Sequence, residues 1–456
     1  NNRLTMKKLL LILLCLPLLV FGQNWNQLGN DVDGSNGSDE FGSSVSLSSD
    51  GSTVAIGAPQ IALNFSTTKG YVRVYQYSGS SWSQLGADID GEATGDASGS
   101  SVSLSSDGNT VAIGAYSNDG NGTEAGHVRI YNFNGSSWNQ IGQDIDGESG
   151  GDRSGFVSLS SDGNTVAIGA TNNDGNGILS GHTRIFEFNG SSWNQIGQNI
   201  DGEAGGDFSG YSVSLASDGQ TVAIGARNND DNGSMSGHVR IYNFNGSSWN
   251  QIGQDIDGES GGDRSGYSVS LSSDGNTVAI GAYANDGNAT DAGHVRIYNF
   301  NGSSWNQIGQ DIDGESGGDR SGYSVSLSSD GNTVAIGAYA NDGNATDAGH
   351  VRIYNFNGSS WNQIGQDIDG EASNDRSGHS VSLSSDGGTV AIGALDKFSS
   401  GSTSGHVRVF NFSHTPGCMD TLACNYNPTA TFDTSCVYWD PDVINNGVLL
   451  FDSIST

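Results

Sequence analysis

Short apolar runs separated by Gly, Asn, Asp and Ser fill most of this chain, and the runs recur. In the stretch beginning at Trp249 four of them stand out: Tyr267–Leu271, Thr277–Ala282, His294–Phe300 and Trp305–Gln310. Val, Ile, Tyr and Phe fill these runs, as suits a pleated, buried surface. The connections are Ser-Asp-Gly-Asn, then an Asn/Asp/Gly-rich loop, then Asn-Gly-Ser-Ser. Strand-length runs bounded by such residues predict β-strands joined by turns, and no run follows a helical period.

The four-run unit repeats about every 56 residues, marked by Trp25, Trp82, Trp138, Trp193, Trp249, Trp305 and Trp361. Residues 249–304 and 305–360 are identical at all 56 positions. Four antiparallel strands per copy, seven times over, predict an all-β fold, a seven-bladed β-propeller of four-stranded blades. A stacked solenoid would use shorter rungs. The Trp-type strand comes first, at 25–29, and the last copy ends at His406–Phe412 without one. The N-terminal strand is therefore expected to complete the seventh blade as its outer strand, hiding an edge that would otherwise pair with other chains. Blade 3 reads Ser154-Gly155-Phe156-Val157-Ser158, one residue shorter than Ser265-Gly266-Tyr267-Ser268-Val269-Ser270. Side chains alternate with period two, so the loss must be absorbed before Val157, at Phe156, if Val157 and Leu159 are to face as Val269 and Leu271 do.

The first copy reads Phe41-Gly42-Ser43-Ser44-Val45-Ser46, then Gly57-Ala58-Pro59, then Gly70-Tyr71-Val72-Arg73-Val74-Tyr75. It resembles the FG-GAP repeats of integrin α-chains and many exported bacterial proteins, over roughly residues 24–413. Later copies keep Gly-x-Ser-Val-Ser and Ile-Gly-Ala but lose the Phe and the Pro. The resemblance implies a propeller used for adhesion or ligand binding. Calcium-binding members carry Asp-x-Asp-x-Asp-Gly between the first two strands. Here that turn, Ser272 to Thr277, holds a single Asp, so the family's calcium cage does not carry over there.

Charge changes the picture most. Asp and Glu number 50 against 17 Lys and Arg, a net charge of −33. Such a chain repels nucleic acid and anionic membrane surfaces. Alternate connections of a blade emerge on opposite faces. The loop entering each blade and the loop between its second and third strands share one face. In the Trp249 copy they carry Asp255, Asp257, Glu259, Asp263, Asp286 and Asp291 against Arg264. The next copy repeats Asp311, Asp313, Glu315 and Asp319. These acids read either as calcium ligands, since Ca²⁺ takes six to eight oxygens, or as a solvated face. Position 12 counted from Asp255 is Gly266, so no bidentate Glu closes an EF-hand-like set. Apart from calcium, no cofactor is implied.

A His recurs at 127, 182, 238, 294, 350 and 406. Blade symmetry keeps these residues apart, so they read as strand starts and not as one ligand cluster. The Arg two residues after each is expected to pair with carboxylates between blades. Catalysis would need one asymmetric acid pair, and near-identical copies argue against an enzyme.

Symmetry breaks in one sector. The only two Lys beyond the leader, Lys69 and Lys397, lie in the loops between second and third strands of the first and last blades, which closure makes neighbours. The first loop also carries Ile61, Leu63 and Phe65, and the second Phe398. A less acidic, partly apolar, locally cationic sector is the expected ligand-binding patch, although terminal repeats also drift.

Met6-Lys7-Lys8 followed by Leu9–Phe21 reads as a signal peptide over residues 1–22, cleaved before Gln23, with residues 1–5 ahead of the start Met. Cys15 follows Leu14, which speaks against a lipoprotein signal. No other apolar run is long enough to span a membrane. The propeller occupies 23–413, and 414–456 form a small tail that reads as part of a longer protein. The tail's Cys418, Cys424 and Cys436 resemble short Cys-bracketed modules of exported bacterial surface proteins. That resemblance implies a Cys418–Cys436 disulfide and leaves Cys424 over. The chain thus reads as an exported or cell-surface binding module, non-catalytic and monomeric, with a protein or glycan ligand. A structural spacer of a larger surface protein, or a propeller-based carbohydrate-active enzyme, are the alternatives.

Overall fold

Seven antiparallel sheets follow one another along the chain. In this computed structural model the described residues are 24–35, 37, 39–60, 68–396, 398–399, 402–412, 416–417 and 432–433. The leader, the three tail cysteines, Ile61, Leu63, Phe65 and Lys397 lie outside them. The chain forms two compact units, 27–411 and 1–26 with 412–456. Within the second, the Trp25 and Phe412 rings lie 5.0 Å apart, and Pro416–Gly417 pairs in parallel with Phe432–Asp433.

Blade 5 shows the common plan. Ser268–Leu271, Thr277–Ala282, His294–Phe300 and Trp305–Gln307 lie side by side in that order. The sequence pattern carries the outer strand to Gln310, but it stops at Gln307. Gly309 turns the chain in the left-handed region, with φ 73°. Ile312–Asp313 then rejoins the third strand, Ile312 opposite Val295 and Asp313 opposite His294. Burial of Ile312, which is 3% exposed, accounts for the return. Each outer strand is therefore split, and each sheet has four strands plus a two-residue tab.

The ring closes as the strand count requires. In blade 7 the order is Ser377–Leu383, Thr389–Ala394, His406–Phe412 and then Trp25–Gln27. Leu28 N donates to Val409 O at 2.7 Å, and Val32 and Asp33 pair with Val407 and His406.

What joins blade to blade is written in the repeat. Each inner strand is followed by a Ser whose N–H donates to the carbonyl of its counterpart in the next blade. The circuit runs Ser49, Ser106, Ser161, Ser217, Ser273, Ser329, Ser385 and back to Ser49. A second circuit runs through side chains: Leu327 N donates to Ser270 Oγ of the preceding blade at 2.9 Å, and Leu47 N to Ser382 Oγ at 3.0 Å across the closure. The Gly of Ile-Gly-Ala is obligatory here. A Cβ at Gly281 would overlap the Gly322 carbonyl of the next blade, and one at Gly393 would overlap that of Gly42. The apolar cores also lie between blades. Val295, Ile297 and Ile312 of blade 5 pack on Val325, Leu327, Val334 and Ile336 of blade 6. Trp361 reaches back over this seam and donates Nε1–H to Ile308 O at 2.9 Å.

Blade 3 keeps its register. Val157 faces Ile168 and Leu159 faces Val166, as Val269 faces Ile280 and Leu271 faces Val278. The missing residue is taken out of the bulge between Ser154 and Phe156. Phe156 then stands opposite Gly169, where Ser268 stands opposite Gly281. It thereby replaces a Ser whose hydroxyl elsewhere reaches the next blade, as Ser268 Oγ does to Gly322 O at 2.8 Å.

Candidate functional site: the acidic loop face

The opposite face can be set aside first. In the Ser-Ser-Asp-Gly turn Asp274 accepts from Ser272 Oγ at 2.6 Å and from Asn276 N at 3.0 Å. Burial pushes its carboxyl up, but the Ser272 hydroxyl and the Asn276 N–H outweigh it and leave the group below the ordinary range. This lone Asp is used to hold its own turn.

On the acidic face the residues expected as calcium ligands separate into different surroundings. Asp255 accepts from the Gln251 amide. Asp257 sits on the outer tab opposite His238. Glu259 crosses to the next blade, 3.8 Å from His294 Nδ1 and 3.8 Å from Arg296 Nη1. Asp263 is buried, and accepts Ser260 N at 2.9 Å and Asn285 Nδ2 at 3.0 Å. Asp311, Asp313, Glu315 and Asp319 repeat this separation one blade on. Two copies of the run thus contribute to each local cluster: Glu259 from one and Asp311 from the next meet at His294.

The same trio forms at Glu92, His127 and Asp144, and at Glu315, His350 and Asp367. Sequence reasoning compared the histidines only with one another, so it missed these partners. Each His opens a third strand and is buried among strands, and its acids come from segments about 35 residues before it and 17 after it. The Arg two positions on does bridge blades, chiefly through a main-chain carbonyl. Arg296 Nη2 donates to Asp257 O at 2.6 Å, and Glu259 stands at 3.8 Å.

Burial drives the imidazoles to the neutral form. Desolvation, helped by the neighbouring Arg, lowers His182, His238 and His294 to about 4. His379 falls to about 4 through desolvation as well. In the unfolded chain each titrates near 6.5. Between those values the unfolded state binds more protons, so stability falls as pH drops from about 6.5 to about 4. The upper bound is about 3 kcal/mol per His. Burial raises Glu203, Glu259 and Asp257, which acts in the opposite sense at the acid end of that window. Thermal melts should therefore fall by about 5 °C or more between pH 7.5 and pH 5. A flat profile over that span would contradict the buried neutral imidazoles.

At the start of the inner strands lies an asymmetric feature. Tyr211, Tyr267, Tyr323 and His379 occupy one position in blades 4 to 7, where blades 1 and 2 have Ser43 and Ser100, and Phe156 of blade 3 joins them from the next register place, opposite Gly169. The rings form a continuous arc, with successive centroids 5.2, 4.8, 4.7 and 5.0 Å apart. Tyr211 Oη donates to Tyr267 Oη at 2.9 Å, and Tyr323 Oη lies 3.2 Å from His379 Nε2. Tyr283 and Tyr339 meet it edge-on. The Arg227 guanidinium lies 3.7 Å above Tyr211. Burial, reinforced by the neighbouring tyrosines, raises Tyr267 well above its ordinary value. Four members of the arc share one repeat position in the sequence, where they read as ordinary strand filling, and Phe156 joins them only through the altered bulge of blade 3.

Of the expected ligand patch, Lys69 is exposed, and its carbonyl accepts Ser98 N at 3.1 Å. Phe398 lies in a small hairpin, Phe398–Ser399 with Ser402–Thr403, in place of the middle blades' loop. Blades 1 and 7 are adjacent, joined by Ser380 Oγ to Gly42 O at 2.7 Å.

The FG-GAP repeat family matches residues 200–242, which run from the outer tab of blade 3 through most of blade 4. No curated protein matches the chain. Among solved structures, Kuenenia stuttgartiensis Hydrazine Synthase is similar, with a TM-score of 0.50 and 13% identity over 81% of this chain and 95% of that one. At that identity the likeness is one of fold. An FG-GAP propeller is consistent with a non-catalytic binding module, and no helix among the described residues is long and apolar enough to cross a membrane.

Proposed function

We propose that the protein is an exported or cell-surface binding module, non-catalytic, which takes a protein or glycan ligand on its acidic loop face. The observation that carries this reading is the break in seven-fold pattern: five blades supply the aromatic arc, and blades 1 and 2 supply Ser43 and Ser100. A spacer has no use for such a break. The serine gap falls in the sector of the Lys69 loop, beside blade 7 with its Lys397 and Phe398. Ile61, Leu63 and Phe65 belong to the same blade 1 loop, so we assign the contact surface to this sector and the adjoining rings. Half-buried aromatic rings give a ligand apolar area at little entropic cost.

The test is a glycan and protein array probed with the purified chain, followed by Tyr267→Ser with Tyr323→Ser, which copies the serines of blades 1 and 2. Binding to the ligand found should weaken by about tenfold or more. Lys69→Glu with Lys397→Glu should weaken the same interaction with no change in the melt. Full binding by both double variants would remove this surface from consideration.

A further inference from the structure

In the loop between second and third strands, blade 4 departs from the other middle blades at one residue of a shared four-residue turn. The other middle blades read Asn118-Asp119-Gly120-Asn121, Asn173-Asp174-Gly175-Asn176, Asn285-Asp286-Gly287-Asn288 and Asn341-Asp342-Gly343-Asn344; blade 4 reads Asn229-Asp230-Asp231-Asn232. The backbone is the same. Asp231 N donates to Asn229 Oδ1 at 2.9 Å, as Gly120 N does to Asn118 Oδ1 at 2.7 Å. The exchange therefore adds a carboxylate and leaves the loop unchanged.

That carboxylate joins Glu203, His238 and Asp255. One donor atom from each of the four lies within 4.8 Å of the others. His238 is 1% exposed, and neither ring nitrogen has a hydrogen-bond partner. Its Nδ1 points at the acids, 3.7 Å from Glu203 Oε2 and 3.9 Å from Asp231 Oδ2, too far for hydrogen bonds. A buried imidazole left unpaired is costly. The fixed charge nearby is Arg240, whose Nη1 lies 3.5 Å from Glu203 Oε1. Three carboxylates against one guanidinium leave two negative charges uncompensated, which a divalent cation would balance. A nitrogen donor selects against Ca²⁺ and Mg²⁺, which prefer all-oxygen shells, and toward zinc and its neighbours. Four protein donors fit a closed tetrahedral site, whose bonds of about 2.1 Å require the acid side chains to draw in around His238 from their present spacing.

We propose that blade 4 binds one divalent transition cation, zinc in type, through His238, Glu203, Asp231 and Asp255, while the three-donor trios of the other blades bind it far more weakly. The site belongs to the same loop face, in blade 4, and the proposal does not depend on the ligand reading above.

The experiment is calorimetric titration of the chelator-stripped full chain with Zn²⁺, repeated in excess Ca²⁺. One equivalent should bind, and millimolar Ca²⁺ should not displace it. Asp231→Gly restores the Asn-Asp-Gly-Asn turn of the other middle blades and should weaken zinc by tenfold or more with the fold intact. Gly287→Asp should install the fourth donor beside Glu259, His294 and Asp311. Gly287 has no left-handed φ, and its Cβ would crowd only the Asn285 side chain. The variant should therefore take up a second equivalent. Zinc binding unchanged by Asp231→Gly, displacement by equimolar Ca²⁺, or no uptake at all would each overturn the proposal.

Discussion

Replacing Gly393 with Ala should lower the melting temperature by about 5–10 °C, although the change adds one methyl group. The new Cβ would overlap the Gly42 carbonyl and Ser380 Oγ. Gly42 belongs to blade 1 and Gly393 to blade 7, so the strain falls on the seam that closes the ring. Overpacking against backbone cannot be relieved by a rotamer change, and a cost of about 3 kcal/mol or more is expected. Gly388→Asn is the control. The blade 5 counterpart, Asn276, donates Nδ2–H to Asp274 Oδ2 at 2.9 Å, and Gly388 meets only the Asp386 side chain. That variant should melt at or slightly above the parent. Equal melts for Gly393→Ala and Gly388→Asn would mean the blades can separate at no cost.

Removing residues 24–33 should have the larger effect. It deletes the outer strand Trp25–Gln27 and the tab Val32–Asp33 from blade 7, and with them the bond from Leu28 N to Val409 O and the pairing of Val32 with Val407. Val32 is 6% exposed and packs with Phe41, Val407 and Val409 in the core shared by blades 7 and 1. The deletion leaves His406–Phe412 as an open edge, a template for pairing with another chain. A fall of more than about 10 °C, with self-association on size exclusion, is expected. A monomer of unchanged melt would show that closure contributes nothing.

How far the sequence could be read follows from what each feature depends on. Strand number, blade count and closure depend on the period of apolar residues, and the repeat states that period seven times. The register of blade 3 was legible too, because burial of Val157 and Leu159 on one face permits no slip. The split outer strand was not legible. Its break depends on Gly309, and its return on the burial of Ile312 against the neighbouring blade, a contact no local pattern records. The acids show the same limit. Asp255 to Asp263 look like one continuous ligand run, but the strand tab sends Asp255 back to His238 and Glu259 forward to His294, and Asp263 is used to hold its own turn. Only the folded arrangement reveals that a cluster is made from two successive copies and a third strand.

The two hydrogen-bond circuits around the axis have a further consequence. They run unchanged through blade 7, the one blade whose outer strand is supplied from the far end of the propeller sequence. Phe412 meets Trp25 at 5.0 Å, much as Phe300 meets Trp305 at 5.1 Å across its four-residue turn. An Asn-Gly-Ser-Ser joint from Phe412 to Trp25 should therefore be accommodated as in every other blade. The chain could then be cut at any of the other six such turns, giving circular permutants that share one ring. Permutants opened at the identical turns after Phe300 and Phe356 should fold to the same melting temperature, and ring geometry, not the order of synthesis, would define the native state.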